Sequence, residues 1–146
     1  MGVVMQKWKV LLENGHSCFS SKFWQDAEVC YQHAVAQIKL EWEDKPENEE
    51  LLMAWISAQH NLAAVYEEQG HHYTALRYLT MPHQWMMSLL RGEKASYALK
   101  ALATQAVKVT LMPLLDFSHR HPICDSCFDA LQVSPEWLED PHPTMH

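Results

Sequence analysis

Two cysteines near the C-terminus have the spacing of half a zinc site. Cys124 and Cys127 form a Cys-x2-Cys pair, and His119 and His121 precede them. Thiolate and imidazole are both ligands that zinc prefers, but a closed site usually takes its second pair of ligands from another element. Three interpretations stay open: a zinc site, a redox dithiol, and two cysteines that pack against or cap a short helix. Apart from this zinc, we expect no cofactor.

The rest of the sequence carries no pattern that is typical of catalysis. The chain lacks the HExxH, GxSxG, Walker and glycine-rich nucleotide-binding motifs. Cys18 and Cys30 fall on helices that we expect to face each other, where small core residues are the simplest interpretation. We therefore expect the protein not to be an enzyme.

Composition excludes several other classes. The chain has 146 residues and a formal net charge of −7, the wrong sign for a general nucleic-acid binder. No run approaches the roughly 18 consecutive apolar residues of a membrane span, so we expect no membrane partner. Four cysteines without a signal peptide indicate reduced thiols in the cytoplasm.

The charge is distributed in blocks along the chain. Residues 41–70 carry a net −7, residues 71–112 a net +4 and residues 113–146 a net −5. Such blocks are either solvated helix faces or surfaces that steer a partner, including a second copy of the chain.

Helical periodicity dominates the sequence and predicts an all-α fold. Pro82 should kink or break the fourth helix, and Pro113 should kink or end the fifth. We place a helical domain at 1–115 and an acidic extension, with short helices and a loose tail, at 116–146. The predicted helices cover residues 4–19, 24–43, 47–69, a stretch that starts near 72, and 94–112.

Self-comparison reveals two related units. The interval from Asn14 to Ala27 equals that from Leu62 to Ala75, and Ala27 and Ala75 are 48 residues apart. Small residues are needed where the two helices of a hairpin touch, and aromatic or aliphatic residues fill the space beside them. The positions that carry this pattern are Gly15, Ala27, Tyr31, Leu62, Ala63, Tyr66, Gly70 and Ala75.

The pattern resembles the tetratricopeptide-repeat (TPR) superfamily over roughly residues 8–80. The resemblance implies antiparallel helical hairpins in a right-handed solenoid fragment, with the helix at 94–112 as a cap. A standard repeat has about 34 residues, so about 14 are extra here, close to four helical turns. If these roughly 14 residues are divided between the second and third helices, both helices are longer, and the acidic end of their hairpin near Pro46 would project from the solenoid.

The resemblance also implies protein binding on a concave face, as an adaptor or small chaperone. The basic clamp that some members use for a C-terminal carboxylate is not supported, because Leu12 and His16 stand at its positions. The apolar cluster from Trp85 to Leu90 is core, a homodimer surface or a peptide groove. The alternative function is a zinc-stabilised or redox-responsive regulator that uses Cys124 and Cys127. The concave positions are Lys9, Leu12, His16 and Phe19 in the first unit and Ser57, His60, Asn61, Ala64, Glu67 and Glu68 in the second.

Overall fold

The computed structural model describes residues 6–122, which are helical with short connections and contain no strand. The predicted all-α class is confirmed. Contacts divide the chain into two compact units, Met1–Ala75 and Leu76–His146, with the boundary inside the fourth helix. The helices are α1 (Lys7–Ser20), α2 (Trp24–Asp44), α3 (Glu49–Glu68), α4 (His72–Arg91) and α5 (Tyr97–Arg120).

In the first unit, α2 packs against both α1 and α3. The buried residues of α2 recur every three or four positions, so that one stripe of the helix faces the core. Tyr31 and Ile38 are its largest members and are almost fully buried. The buried residues of α2 are Ala27, Tyr31, Ala34 and Ile38.

The loop between α2 and α3 is short and well determined by local interactions. The Asn48 side chain accepts a hydrogen bond from the Leu51 backbone N–H at 2.9 Å and so caps α3. The Trp42 indole N–H donates to the Pro46 carbonyl oxygen at 3.0 Å. The two helices have 21 and 20 residues, against 14 in α1 and 20 in α4.

Both prolines of the second unit lie inside helices. α4 runs through Pro82 and α5 through Pro113. Of the two outcomes predicted at each proline, a kink or an interruption of the helix, the interruption was wrong and the kink stays a prediction. A proline costs a helix interior roughly 3 kcal/mol. The buried side chains around each proline offset that cost, because a broken helix would expose them: Thr80, His83 and Met86 near Pro82, and Leu111, Leu114, Leu115 and Phe117 near Pro113.

The start of α5 is set by Ser96, whose hydroxyl oxygen accepts a hydrogen bond from the Leu99 backbone N–H at 3.1 Å. The predicted start at residue 94 was therefore too early. The helix reaches Arg120, so residues 116–120 of the predicted extension are helical. The short helix predicted at 124–132 and the turn predicted at 134–136 lie outside the described residues.

Within residues 6–122, α5 has the length and apolar composition of a membrane span, with a mean hydropathy of 1.2 over its most apolar window. A core helix of a soluble protein has the same length and composition, and 39% of that window is buried inside the structure. Hydropathy alone therefore does not assign α5 to a membrane.

The apolar cluster in α4 is divided between core and surface. Met86 is fully buried, whereas the Trp85 side chain is 48% exposed. Met87, Leu89 and Leu90 are half-buried. One part of the cluster therefore serves the core of the second unit, and another part remains accessible.

Candidate functional site

The two helical hairpins begin with turns of the same geometry. After α1, the Phe23 N–H donates to the Cys18 carbonyl oxygen at 2.8 Å, and after α3 the His71 N–H donates to the Tyr66 carbonyl oxygen at 2.9 Å. This bond from the second residue past the cap to the third-last helical residue defines a Schellman motif. The backbone hydrogen bonds of the two turns correspond at an interval of 48 residues, the interval seen in the sequence.

One residue in each turn adopts the left-handed backbone conformation. Gly70 has φ 81°, which glycine adopts without strain, whereas Lys22 occupies the equivalent place with φ 64°. The first hairpin therefore has the same backbone conformation, although lysine disfavours it. The cost at Lys22 is about 1 kcal/mol.

Gly15 packs tightly against a side chain of α2. A Cβ atom added there would lie 2.6 Å from Cε1 of Tyr31, well inside van der Waals contact. The equivalent residue of the second unit, Ala63, is also buried, as are Ala27 and Ala75. These positions of the repeat pattern therefore lie at tightly packed places, whereas Tyr66 is half-buried and Gly70 is exposed in its turn.

Tyr31 also links α2 to the predicted binding face. Its hydroxyl oxygen lies 2.7 Å from Nδ1 of His16. Burial, with smaller contributions from Cys30 and Cys18, raises the pKa of Tyr31 to about 12. The phenol therefore keeps its proton at neutral pH and can donate it to His16, which orients the exposed imidazole.

A second hydrogen-bonded group joins α2 to α3. The Tyr66 hydroxyl donates to Oε1 of Glu28 at 2.7 Å. The Gln32 amide donates to the same carboxylate oxygen at 3.3 Å and to the Tyr66 hydroxyl at 3.4 Å. Tyr66 is thus held by polar groups of α2 at the end of α3 where the turn begins.

The concave positions named from the TPR resemblance lie on α1 and α3, which meet through an ion pair. Nζ of Lys9 lies 3.2 Å from Oε1 of Glu50, and both side chains are largely exposed. Such a pair contributes little stability, but it shows that these two helices share one side of the unit. None of the ten residues is buried, and three of them, His16, Ser57 and Glu68, are exposed. We call these ten residues the α1–α3 face.

The apolar part of the α1–α3 face is ordered by neighbouring rings. Phe19 is half-buried and packs edge-to-face on Trp24, with ring centroids 5.0 Å apart. Leu12 and Ala64 are half-buried as well. A half-buried apolar side chain packs against the protein on one side and leaves apolar surface accessible on the other.

His60 is the electrostatically perturbed residue of the α1–α3 face. Burial lowers its pKa to about 4, so the imidazole is neutral at physiological pH. Its Nε2 is shielded from solvent and has no hydrogen-bond partner among the described residues. The sequence contained a signal for this, because His60 sits between buried turns that include Ile56 and Ala63, but the degree of burial follows only from packing.

Comparison with known families identifies the chain. A family model described as "Protein of unknown function (DUF2753)" matches residues 6–146. The chain belongs to this family. No curated protein and no solved structure matches the DUF2753 chain.

The predicted metal ligands of this DUF2753 chain lie only partly within the described residues. His119 is exposed in the last turn of α5, and His121 follows the helix as its cap and contacts the Phe117 ring at a centroid distance of 4.9 Å. Cys124 and Cys127 lie outside the described residues. Between residues 6 and 122, no group of three or more potential ligands comes together.

Proposed function

We propose that this protein binds a peptide or protein partner on the α1–α3 face, as a non-catalytic, TPR-like adaptor or small chaperone. The observation that carries the proposal is a difference in burial between two sets of positions. Positions that the repeat pattern assigns to contacts within hairpins, such as Gly15 and Ala27, are buried, whereas all ten assigned to ligand binding stay accessible.

The repeated turns support the TPR-like part of the proposal. Hairpins with the same Schellman geometry at a fixed interval are what an internally duplicated helical array requires. The interval of 48 residues instead of about 34 is accommodated by the long α2 and α3, which leaves the turns unchanged.

The chemistry of the α1–α3 face supports a peptide as its ligand. Phe19 and Leu12 offer apolar surface for an anchoring side chain, and the half-buried Asn61 has an amide suited to a peptide backbone. His60 is neutral at physiological pH and adds no charge to this face.

The proposed setting is the reducing cytoplasm, and the proposed ligand is neither nucleic acid nor membrane. A homodimer formed through the exposed part of α4 is a separate proposal, and light scattering tests it by measuring the molecular mass. A monomeric mass over the concentration range of the binding assay would refute the dimer.

The experiment is a selection of peptides from a displayed random library, followed by affinity measurements on matched variants. Phe19→Ala and Leu12→Ala remove apolar surface from the α1–α3 face. Phe23→Ala and Leu40→Ala make the same changes at side chains that are 59% and 60% exposed elsewhere.

We expect the two face variants to weaken binding by about tenfold, which corresponds to about 1.4 kcal/mol at a binding hot spot. The two control variants should bind like the wild type. Circular dichroism checks that helicity is retained, since Phe19 also packs on Trp24. Equal losses in face and control variants, or selected peptides that are indifferent to all four changes, would refute the assignment.

A further inference from the structure

Two thiols face each other next to the first hairpin turn. Cys18 lies in the last turn of α1 and Cys30 in the second turn of α2. Both are reduced and half-buried, so solvent and small molecules reach them. Their spacing predicts small core residues, but both are only half-buried, which leaves room for chemistry that a core position would prevent.

The two cysteines lie on helices that pack directly against each other. Burial raises the pKa of Cys30, and the neighbouring Cys18 raises it further. Residues three apart on a helix share a face, so Cys18 lies on the same side of α1 as Gly15. Gly15 lies directly against the Tyr31 ring, so α1 and α2 pack tightly at this level.

The turn between them holds this arrangement. The Phe23 N–H is bonded to the Cys18 carbonyl oxygen, and the Ala27 N–H to the Phe23 carbonyl oxygen at 2.9 Å. The chain from Cys18 to Cys30 is therefore ordered throughout, and the thiols do not depend on a chance encounter of mobile segments. Close, ordered thiols on separate helices are what an intramolecular disulfide needs.

We propose that Cys18 and Cys30 form a reversible disulfide by exchange with a low-molecular-weight disulfide such as oxidised glutathione. The thiolate of one cysteine attacks a glutathione sulfur, breaks the S–S bond and releases one glutathione thiolate. The thiolate of the second cysteine then attacks the mixed disulfide and releases the second. The two protein protons pass to the two released thiolates, so the protein dithiol is oxidised and one glutathione disulfide is reduced to two thiols.

The bond would join α1 to α2 beside the α1–α3 face. In a reducing compartment the pair stays as thiols, and a rise in the disulfide-to-thiol ratio of the glutathione pool closes it. Closure limits the opening of the first hairpin and therefore lowers the entropy of the unfolded chain. The oxidised protein should consequently melt at a higher temperature than the reduced one.

The test uses the full chain in glutathione buffers of increasing disulfide content, followed by alkylation and tryptic peptide mapping. Cleavage after Lys9, Lys22 and Lys39 places Cys18 in peptide 10–22 and Cys30 in peptide 23–39. Cys124 and Cys127 remain together in peptide 121–146, because the preceding cleavage follows Arg120. A link between peptides 10–22 and 23–39 is therefore diagnostic.

We expect this linked peptide to be the main product that joins two different tryptic peptides, and to disappear after dithiothreitol. The variant Cys124→Ser/Cys127→Ser should keep both the link and the higher melting temperature on oxidation. Cys18→Ser and Cys30→Ser should lose both. Separate glutathione adducts on the two cysteines without the link, or a link only within peptide 121–146, would overturn the proposal. The wild-type peptide map decides the question even where a serine variant folds poorly.

Discussion

The tight contact between Gly15 and Tyr31 predicts that an added methyl group destabilises the first unit. In Gly15→Ala the new Cβ would meet three Tyr31 ring atoms at 2.6, 2.8 and 2.9 Å. Tyr31 is 1% exposed and its hydroxyl is bonded to His16, so the ring has no open space into which to move. The helices must separate, or the ring must leave its rotamer.

Two opposing effects set the magnitude. Replacing glycine by alanine inside an exposed helix stabilises it by about 1 kcal/mol. Overpacking a core contact costs about 1–3 kcal/mol, and separations this short place Gly15→Ala at the upper end. We therefore expect the free energy of unfolding to fall by about 2 kcal/mol, and the melting temperature to fall by roughly 4–8 °C.

The assay is urea unfolding followed by circular dichroism, with Ser17→Ala as the control. Ser17 is exposed on the same helix, so that change reports helix propensity alone and should raise stability slightly. In a Tyr31→Leu background, where the ring is absent, Gly15→Ala should become neutral or stabilising. A Gly15→Ala protein that gains as much stability as Ser17→Ala would refute the reasoning.

Three further predictions concern backbone conformation, capping and pH. Lys22→Gly relieves the left-handed conformation and should raise the free energy of unfolding by about 0.5–1 kcal/mol, whereas Lys22→Ala should gain nothing; urea unfolding separates them. Asn48→Ala removes the cap on Leu51 and should cost about 1 kcal/mol, while Asn48→Asp should cost little; thermal melts measure both, and equal losses would contradict the cap. Burial lowers the pKa of His83 to about 4 from an ordinary 6.5, so the unfolded chain binds the proton more tightly. The stability that the neutral, buried His83 supplies is fully present above pH 6.5 and is lost as the pH falls toward 4. The free energy of unfolding should therefore fall by about 2 kcal/mol between pH 7 and pH 5. His83→Gln, which can still bond the Thr110 hydroxyl, should flatten that slope in urea titrations; an unchanged slope would refute the assignment.

Local signals predicted most of the helical architecture. The periodic apolar residues placed α2 and α3 within two residues of their observed bounds, because the breaker around Pro46 interrupts the pattern sharply. The same local rules allowed a break at Pro82 and an end at Pro113, and neither occurs. A proline lowers the local preference for helix, but burial of neighbouring side chains over several turns outweighs it, and burial is not a local property.

The candidate site was predictable only in outline. The TPR resemblance implied that residues such as Ser57 and Glu68 lie on an accessible face, and the structure leaves both exposed. It could not indicate that His60 is desolvated or that Lys9 reaches Glu50, because both depend on how far α1 and α3 slide along α2.

The amino-acid sequence by itself determined the helices, the turn chemistry and the 48-residue interval, since hydrogen bonds within helices and turns join residues close in the chain. The tertiary structure alone decided which side chains from different helices meet: Cys18 with Cys30, Tyr31 with His16, and Tyr66 with Glu28. Periodicity shows which side of a helix faces the core. The register and distance between helices are set by packing of the whole unit, and these fix which polar or reactive groups come within bonding distance.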